Sequence, residues 1–169
     1  MTFDPVDLDA ATAELTNRWI ASGEVKHPEI IEAQLRFAKA ANSHDWDRLA
    51  DFNAGATYAN HRQLASGADT VVDDMSSLRM LATLVPDLRF ELAEVLAYSA
   101  KGVVNSVVVA GTSTDGADVE MPWITLQIFE GDRVTHAETF DADQRELALA
   151  RFEELNRPGP TAVGETARR

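Results

Sequence analysis

The chain has 169 residues, of which 45% are hydrophobic and 25% charged, and this balance is typical of a single globular domain rather than a disordered chain. Fifteen basic against 28 acidic residues give a net charge of −13, which has the wrong sign for binding nucleic acid or an anionic membrane surface. Cysteine is absent, so disulfides, thiolate nucleophiles and cysteine-ligated zinc or iron–sulfur centres are excluded.

The first residues contain neither a basic segment nor an apolar run typical of a secretory signal, and no stretch approaches the ~18 apolar residues that span a bilayer. We therefore expect a cytoplasmic protein. The chain also lacks a glycine-rich phosphate loop and the histidine and carboxylate spacings of common metal sites. These patterns predict no cofactor and no bound metal.

Helical periodicity dominates the first half of the chain, where apolar residues recur every three or four positions. Pro28 suits the first turn of a helix, and Pro86 closes the last helix of this half. The predicted helices are residues 7–22, Pro28 to about Asn42, a short helix around Trp46 capped by Ser43 or Asp45, and about Ala68 to Val85.

Beyond Pro86 the apolar period changes to two, which indicates strands joined by turns such as Asp115-Gly116. The predicted strands are Leu88–Tyr98, Val103–Thr112, Met121–Phe129 and Arg133–Phe140. Asp141 and Gln144 then have the spacing of a capping box at the start of a final helix.

Helices followed by consecutive hairpins predict an α+β fold, in which helices cover one face of a curved antiparallel sheet. Such a sheet leaves a cone-shaped concavity that suits a small molecule. We divide the chain into an N-terminal helical extension (residues 1–25), the α+β domain (26–156) and a flexible C-terminal tail (157–169).

Three segments, within a region of about residues 28–155, resemble the nuclear transport factor 2-like superfamily, and most closely its SnoaL-like, polyketide cyclase-like branch. Ala41–Leu49 resembles the joint between the family's first two helices, Thr57–Arg62 its first short strand, and Glu130–Asp141 its closing strand. The resemblance implies a cone-shaped α+β barrel (the cystatin-like roll), usually homodimeric, with a pocket between the helices and the concave sheet. Some members of the superfamily are enzymes and others only bind ligands or partners, so the fold does not decide the function.

The closing strand carries the main catalytic candidate. Val134, His136, Glu138 and Phe140 share one face by the strand period of two. The resemblance implies that this face points into the pocket and that Glu138 matches an acid/base carboxylate. Desolvation there would raise the pKa of Glu138 toward a range useful for proton transfer. The alternative is that His136 and Glu138 form a structural or ligand-orienting polar pair.

Tyr58 and Asn60 are the second pair of candidates, because they lie two apart on one strand face and resemble the residues that position water in limonene epoxide hydrolases. That enzyme's Arg-x-Asp is replaced here by Asn105-Ser106-Val107, which argues against epoxide hydrolysis. Ketosteroid isomerases need a protonated acid beside a tyrosine, for which Glu94 is the one candidate. His61 lies on the opposite strand face from Tyr58 by alternation.

Trp123 marks a strand with two distinct faces. One carries Trp123, Thr125, Gln127 and Phe129, and the other Ile124, Leu126 and Ile128. We expect one face to line the pocket and the other to pack in a homodimer; the sequence does not say which. The candidate ligand contacts are Trp123, Asn105, His61 and Phe140.

Two functions follow from these candidates. In the first, the domain binds a small, largely apolar molecule without chemistry. In the second, it is a cofactor-free isomerase, cyclase, dehydratase or hydrolase, with Glu138 as base and His136, Tyr58 and Asn60 orienting water or substrate. A purely structural role in dimerisation is the third hypothesis.

Overall fold

The fold comes from a computed structural model, which describes residue 14 and residues 16–63 and 71–157. Its helices, in chain order, are α1 (residues 16–21), α2 (Pro28–Asn42), α3 (Trp46–Phe52), α4 (Val71–Leu84) and α5 (Arg145–Asn156). The predicted helices around residues 28–42 and Trp46 are confirmed. Residues 7–13, the segment 64–70 and the predicted tail from residue 158 onward lie outside the described residues.

The strands are β1 (Thr57–Asn60), β2 (Arg89–Tyr98), β3 (Gly102–Thr112), β4 (Asp118–Glu130) and β5 (Arg133–Asp141). They form one sheet in the order β1-β5-β4-β3-β2. Strands β2 to β5 are antiparallel, as predicted, whereas β1 pairs parallel to β5. The α+β class is confirmed, but the sheet is mixed. It is also open, with β1 and β2 at its edges, so the barrel implied by the resemblance is not closed.

Local hydrogen bonds at the starts of α3 and α5 test two predicted helix caps. Asp45, rather than Ser43, caps α3, because its carboxylate accepts from the Arg48 backbone N–H at 3.2 Å. The predicted helix start at Asp141 is wrong, because α5 begins at Arg145 with Gln144 at its N-cap position. The Gln144 side chain accepts from the Asp141 N–H at 2.9 Å, but the Asp141 carboxylate accepts from the Gln63 N–H at 2.8 Å instead.

Helices pack against both faces of the sheet, and each face has its own apolar cluster. On what we call the α5 face, Val104, Ile124, Leu126 and Phe140 pack against Ala148 and Phe152 of α5. On the opposite face, the α2 face, Val103 packs with Ile30 and Ala33 of α2. The apolar side of β4 is therefore covered by the chain's own C-terminal helix, which removes the argument that led us to expect a dimer through it.

A β-bulge in β5 corrects one predicted face. His136 pairs with Ile128, but the next pair is Val134 with Phe129, so Thr135 has no partner in the ladder. Val134 and Phe129 consequently belong to the cluster around α2, whereas Phe140 belongs to the α5 face. Val134 therefore does not share a face with Phe140. In the part of the chain that the structure describes, no helix has the length and apolar character needed to cross a bilayer.

Candidate functional site

The predicted site residues separate into two groups on opposite faces of the sheet. Glu138, His136, His61 and Phe140 lie on the α5 face. Tyr58, Asn60, Asn105 and Trp123 lie on the α2 face. The division follows from strand alternation and register, because Glu138 pairs with Leu126 of the α5 cluster, whereas Asn60 pairs with Thr139, one residue further along β5. The eight residues therefore do not form one site.

On the α5 face, Glu138 is the centre of a buried cluster. Its side chain has no exposed surface, and its carboxylate accepts hydrogen bonds from three residues. His136 Nε2 lies 2.7 Å from Oε1 and His61 Nε2 lies 2.7 Å from Oε2. Arg151 of α5 approaches both oxygens, with Nη2 at 2.7 Å from Oε1 and Nε at 3.2 Å from Oε2. Each carboxylate oxygen thus has two partners.

Neighbouring side chains fix the two imidazole rings. Thr57 Oγ1 lies 2.6 Å from His136 Nδ1, so His136 contacts a partner through each ring nitrogen. The His61 ring stacks on Phe140, with centroids 4.5 Å apart and planes at 10°. Both rings are oriented toward Glu138, which accepts a hydrogen bond from the Nε2–H tautomer of each.

These contacts reverse the expected pKa shift of Glu138. Burial by itself raises the pKa of this carboxyl, but the hydrogen bonds from His136, Arg151 and His61, together with the Arg151 charge, outweigh burial and hold the pKa well below its usual range. Glu138 raises the pKa of Arg151 in turn. The expectation of a raised carboxyl pKa is wrong, because the sequence reasoning did not include Arg151. A carboxylate so strongly stabilised is a weak base.

On the α2 face, a row of polar side chains crosses four adjacent strands. Asn105 of β3 pairs with Thr125 of β4, Thr125 pairs with Thr139 of β5, and Thr139 pairs with Asn60 of β1. Neighbouring strands lie ~4.8 Å apart, so the row is about 14 Å long. We call these four residues the polar row. It lies within a face that is otherwise packed on helices.

One end of the polar row is held by hydrogen bonds. Tyr58 Oη lies 2.7 Å from Thr139 Oγ1, and Thr139 donates to Asn60 Oδ1 at 3.4 Å. Asn60 Oδ1 also accepts from Arg62 Nε at 3.1 Å. The Arg62 guanidinium lies 4.7 Å from the centroid of the Trp123 ring, a cation–π contact. The structure thus brings Trp123 onto the same face as Tyr58 and Asn60.

The other end of the polar row is buried and unpartnered. Asn105 is 0% exposed, and neither its Nδ2 nor its Oδ1 has a hydrogen-bond partner among the described residues. The same holds for three further buried atoms, which are Trp123 Nε1, Gln127 Oε1 and Gln34 Oε1. Trp123 and Gln127 lie two residues either side of Thr125, the register partner of Asn105. Most buried polar atoms in proteins are paired, so this group calls for an explanation.

Sequence reasoning missed four residues that matter at these two places: Arg151, Gln34, Gln127 and Thr139. Two of them carried a detectable signal. Arg151 falls within the apolar helical stripe that contains Ala148 and Leu155. Gln34 falls four residues after the buried Ile30 on the inward side of α2. A polar residue in an inward stripe predicts a buried partner or a ligand contact.

Two shallow depressions are present, one lined by His44, Asp45, Trp46, Asp47 and Arg79 and the other by Ala54, Gly55, Glu130, Arg133, Val134 and Thr135. Neither includes a predicted site residue. Within residues 16–63 and 71–157, no three histidine or carboxylate side chains are arranged to hold a metal ion.

Comparison with solved structures shows a shared fold. IdmH from Streptomyces antibioticus, a candidate polyketide cyclase, aligns over 73% of this chain and 99% of its own, with 15% identity and a TM-score of 0.57. A SnoaL-like polyketide cyclase from Agrobacterium tumefaciens aligns over 73% and 97%, with 16% identity and a TM-score of 0.52. A protein of ketosteroid isomerase-like fold from Catenulispora acidiphila aligns over 68% and 86%, with 18% identity and a TM-score of 0.52.

No protein-family model and no curated protein matches the chain. The structural likeness confirms the predicted α+β fold, which the chain shares with SnoaL-like polyketide cyclases and a protein of ketosteroid isomerase-like fold. Because these identities are low, the likeness concerns the fold alone.

Proposed function

We propose, from the fold that this chain shares with SnoaL-like polyketide cyclases and ketosteroid isomerase-like proteins, that it binds a small, largely apolar molecule on the α2 face of the sheet and carries out no chemistry on it. The observation that carries the proposal is Asn105, which is fully buried and whose two polar atoms have no hydrogen-bond partner among the described residues. A bound molecule that offers hydrogen-bonding groups at this position would satisfy them.

Buried polar groups without partners lower the free energy of unfolding. Leaving a buried donor or acceptor unsatisfied costs about 1–3 kcal/mol. Two such atoms on Asn105 and one on Trp123 are therefore a large burden for a protein of ordinary stability. An apolar side chain at position 105 would avoid this cost. Such a burden is typical of positions that serve binding rather than folding.

The surroundings of the polar row suit an apolar ligand. Val103 and Val107 flank Asn105 on the same strand face, and the Phe90 ring lies 6.4 Å from that of Trp123. Ligand sites are mostly apolar with a few placed polar groups, and this face has that composition. Leu92, the register partner of Val107 on the edge strand β2, is 52% exposed. We propose that the ligand enters beside it.

The alternative is an acid/base enzyme that uses Glu138. The hydrogen bonds and ion pair around its carboxylate leave that group a weak base, and it lies on the opposite face from Tyr58 and Asn60. The binding function is therefore the better supported of the two. An enzyme of this fold would show turnover that Glu138→Gln abolishes while ligand binding remains.

Thermal-shift measurements with naphthalene and 2-quinolone as probes test the proposal, in the wild type and in two matched variants. Val107→Phe fills the α2 face, whereas Val108→Phe places the same ring on the opposite face one residue along. We expect the probes to raise the melting temperature of the wild type and of Val108→Phe but not of Val107→Phe. Circular dichroism confirms that both variants fold. Absence of any shift in the wild type, or equal shifts in both variants, contradicts the proposal.

A further inference from the structure

We infer that the molecule bound on the α2 face is uncharged and carries a hydrogen-bond donor beside an acceptor on one edge, as a lactam or other cyclic amide does, and that Asn105 recognises this edge. The inference rests on the proposed function and names the ligand class. It derives from the chemistry of the unpartnered atoms.

The side chain of Asn105 presents two complementary groups in one plane. Its Nδ2 donates and its Oδ1 accepts, and both are buried without partners among the described residues. A ketone would satisfy only Nδ2, and an ether or an aromatic nitrogen would do the same. A lactam satisfies both at once, because its C=O accepts from Nδ2 while its N–H donates to Oδ1. Asparagine recognises the edges of nucleic-acid bases through this same pairing.

The neighbouring unpartnered atoms are uncharged too. Gln127 offers a carbonyl oxygen and Trp123 its indole N–H, two residues along β4 on either side of the Thr125 that pairs with Asn105. A carboxylate or phosphate would bring its charge against the amide oxygens of Asn105 and Gln127, while the Arg62 guanidinium at the other end of the polar row is already engaged by Asn60 and the Trp123 ring. The group therefore selects a neutral ligand.

The spacing along β4 suggests the size of the ligand. Trp123 and Gln127 lie two residues either side of Thr125, which pairs with Asn105. Two residues of a strand span about 7 Å. A fused two-ring frame whose polar edge meets Asn105 would therefore reach toward Trp123 or Gln127. This geometry makes bicyclic probes suitable for the test.

Four probes of nearly the same size test whether the protein recognises a donor beside an acceptor on one edge of the ligand. 2-Quinolone has the neighbouring N–H and C=O, N-methyl-2-quinolone keeps only the acceptor, quinoline has a ring nitrogen, and naphthalene has neither group. Their affinities for the full chain are measured by titration calorimetry. We expect 2-quinolone to bind the wild type at least ~10-fold more tightly than N-methyl-2-quinolone, because the methyl compound leaves Asn105 Oδ1 unpaired.

Two variants assign the effect to Asn105. Asn105→Leu should bring the affinity ratio of the two quinolones close to one while naphthalene still binds. Ser106→Ala, the adjacent residue on the opposite face, should leave the ratio unchanged. Asn105→Val provides a second apolar replacement with a strand-favouring side chain if the leucine variant does not fold. If both replacements fail to fold, equal binding of the four probes to the wild type still overturns the inference.

The outcomes separate this inference from the proposed function. If the wild type binds all four probes equally, or if the preference survives in Asn105→Leu, the lactam inference is overturned while the binding function stands. If no probe binds the wild type, both are overturned. A preference for 2-quinolone that disappears with the Asn105 amide supports both.

Discussion

The carboxylate of Glu138 on β5 and the guanidinium of Arg151 on α5 meet at two points, with Oε1–Nη2 at 2.7 Å and Oε2–Nε at 3.2 Å. The pair joins the last helix to the sheet, on the face opposite the polar row. Two-point pairing of this kind fixes orientation as well as charge. Glu138 therefore has a role in holding α5, and the histidines beside it complete the same cluster.

Glu138→Gln should destabilise the protein by about 2–3 kcal/mol, because it removes the charge that Arg151 faces and brings an amide N–H₂ toward donors on His61, His136 or Arg151. For a chain of this size, this corresponds to a fall in melting temperature of roughly 5–10 °C. Denaturant unfolding followed by circular dichroism measures the change.

The exposed pair between the same helix and β2 provides a matched control. Arg145 contacts both oxygens of Glu94, at 2.9 and 3.0 Å, but both side chains are about half exposed, at 52% and 53%. Arg145→Gln should therefore change the free energy of unfolding by less than ~1 kcal/mol. Equal effects of Glu138→Gln and Arg145→Gln would show that the buried cluster does not hold α5.

The pH dependence of stability should identify the same carboxylate. The folded-state pKa of Glu138 is lowered from its ordinary value of 4.5, so the native state favours the ionised form. Its contribution is fully present above pH 4.5 and is lost progressively as the pH falls further. The difference in melting temperature between wild type and Glu138→Gln should therefore narrow steadily from pH 5 to pH 3. A constant difference across that interval would contradict the assignment.

Asn105→Leu should leave the ligand-free protein at least as stable as the wild type, and more stable by about 1–2 kcal/mol if the larger side chain is accommodated, because it replaces two buried unpartnered atoms with an apolar group of similar shape. Asn105→Asp should instead destabilise it at neutral pH by burying an unpaired charge. Melting temperatures in the absence of ligand provide the comparison. A clear loss of stability in Asn105→Leu would mean that the amide serves the fold.

Much of the fold could be predicted from local patterns. The period of two beyond Pro86 predicted strands β2 to β5, and the helical period with Pro28 at the first turn predicted α2. Alternation correctly predicts that His61 and Tyr58 lie on opposite sheet faces, because the direction of successive side chains is a local property of one strand. Pairs separated by two residues, such as Tyr58 and Asn60, were likewise placed on one face.

The errors come from contacts between distant segments. The bulge at Thr135 shifts Val134 to the other cluster, and alternation within β5 cannot reveal it. Which face α5 covers depends on tertiary packing, so the alternation within β4 does not reveal that Ile124 and Leu126 pack against this helix. The lowered pKa of Glu138 could not be predicted for the same reason, because Arg151 contacts its carboxylate from a different element, α5.

The unpartnered state of Asn105 could not be read from the sequence at all. A single asparagine among valines predicts a buried polar residue, but its hydrogen-bond partners depend on four strands and a helix. The structure adds Gln127 of the neighbouring strand, a second amide with a buried oxygen that has no partner among the described residues. The two amides show that the α2 face has buried hydrogen-bonding groups that a ligand could pair with.

The most direct test of binding on the α2 face is the ¹⁵N–¹H spectrum of the three tryptophan indoles, recorded while 2-quinolone is added. The chain has three tryptophans, and Trp123, on the same sheet face as Asn105, has a buried indole nitrogen with no partner among the described residues. Trp123→Phe assigns its resonance, and Trp19 and Trp46 serve as internal controls. We predict a saturable shift of the Trp123 resonance while the other two remain unchanged. No shift at saturating probe, or a shift confined to Trp19 or Trp46, would contradict a ligand site on this face.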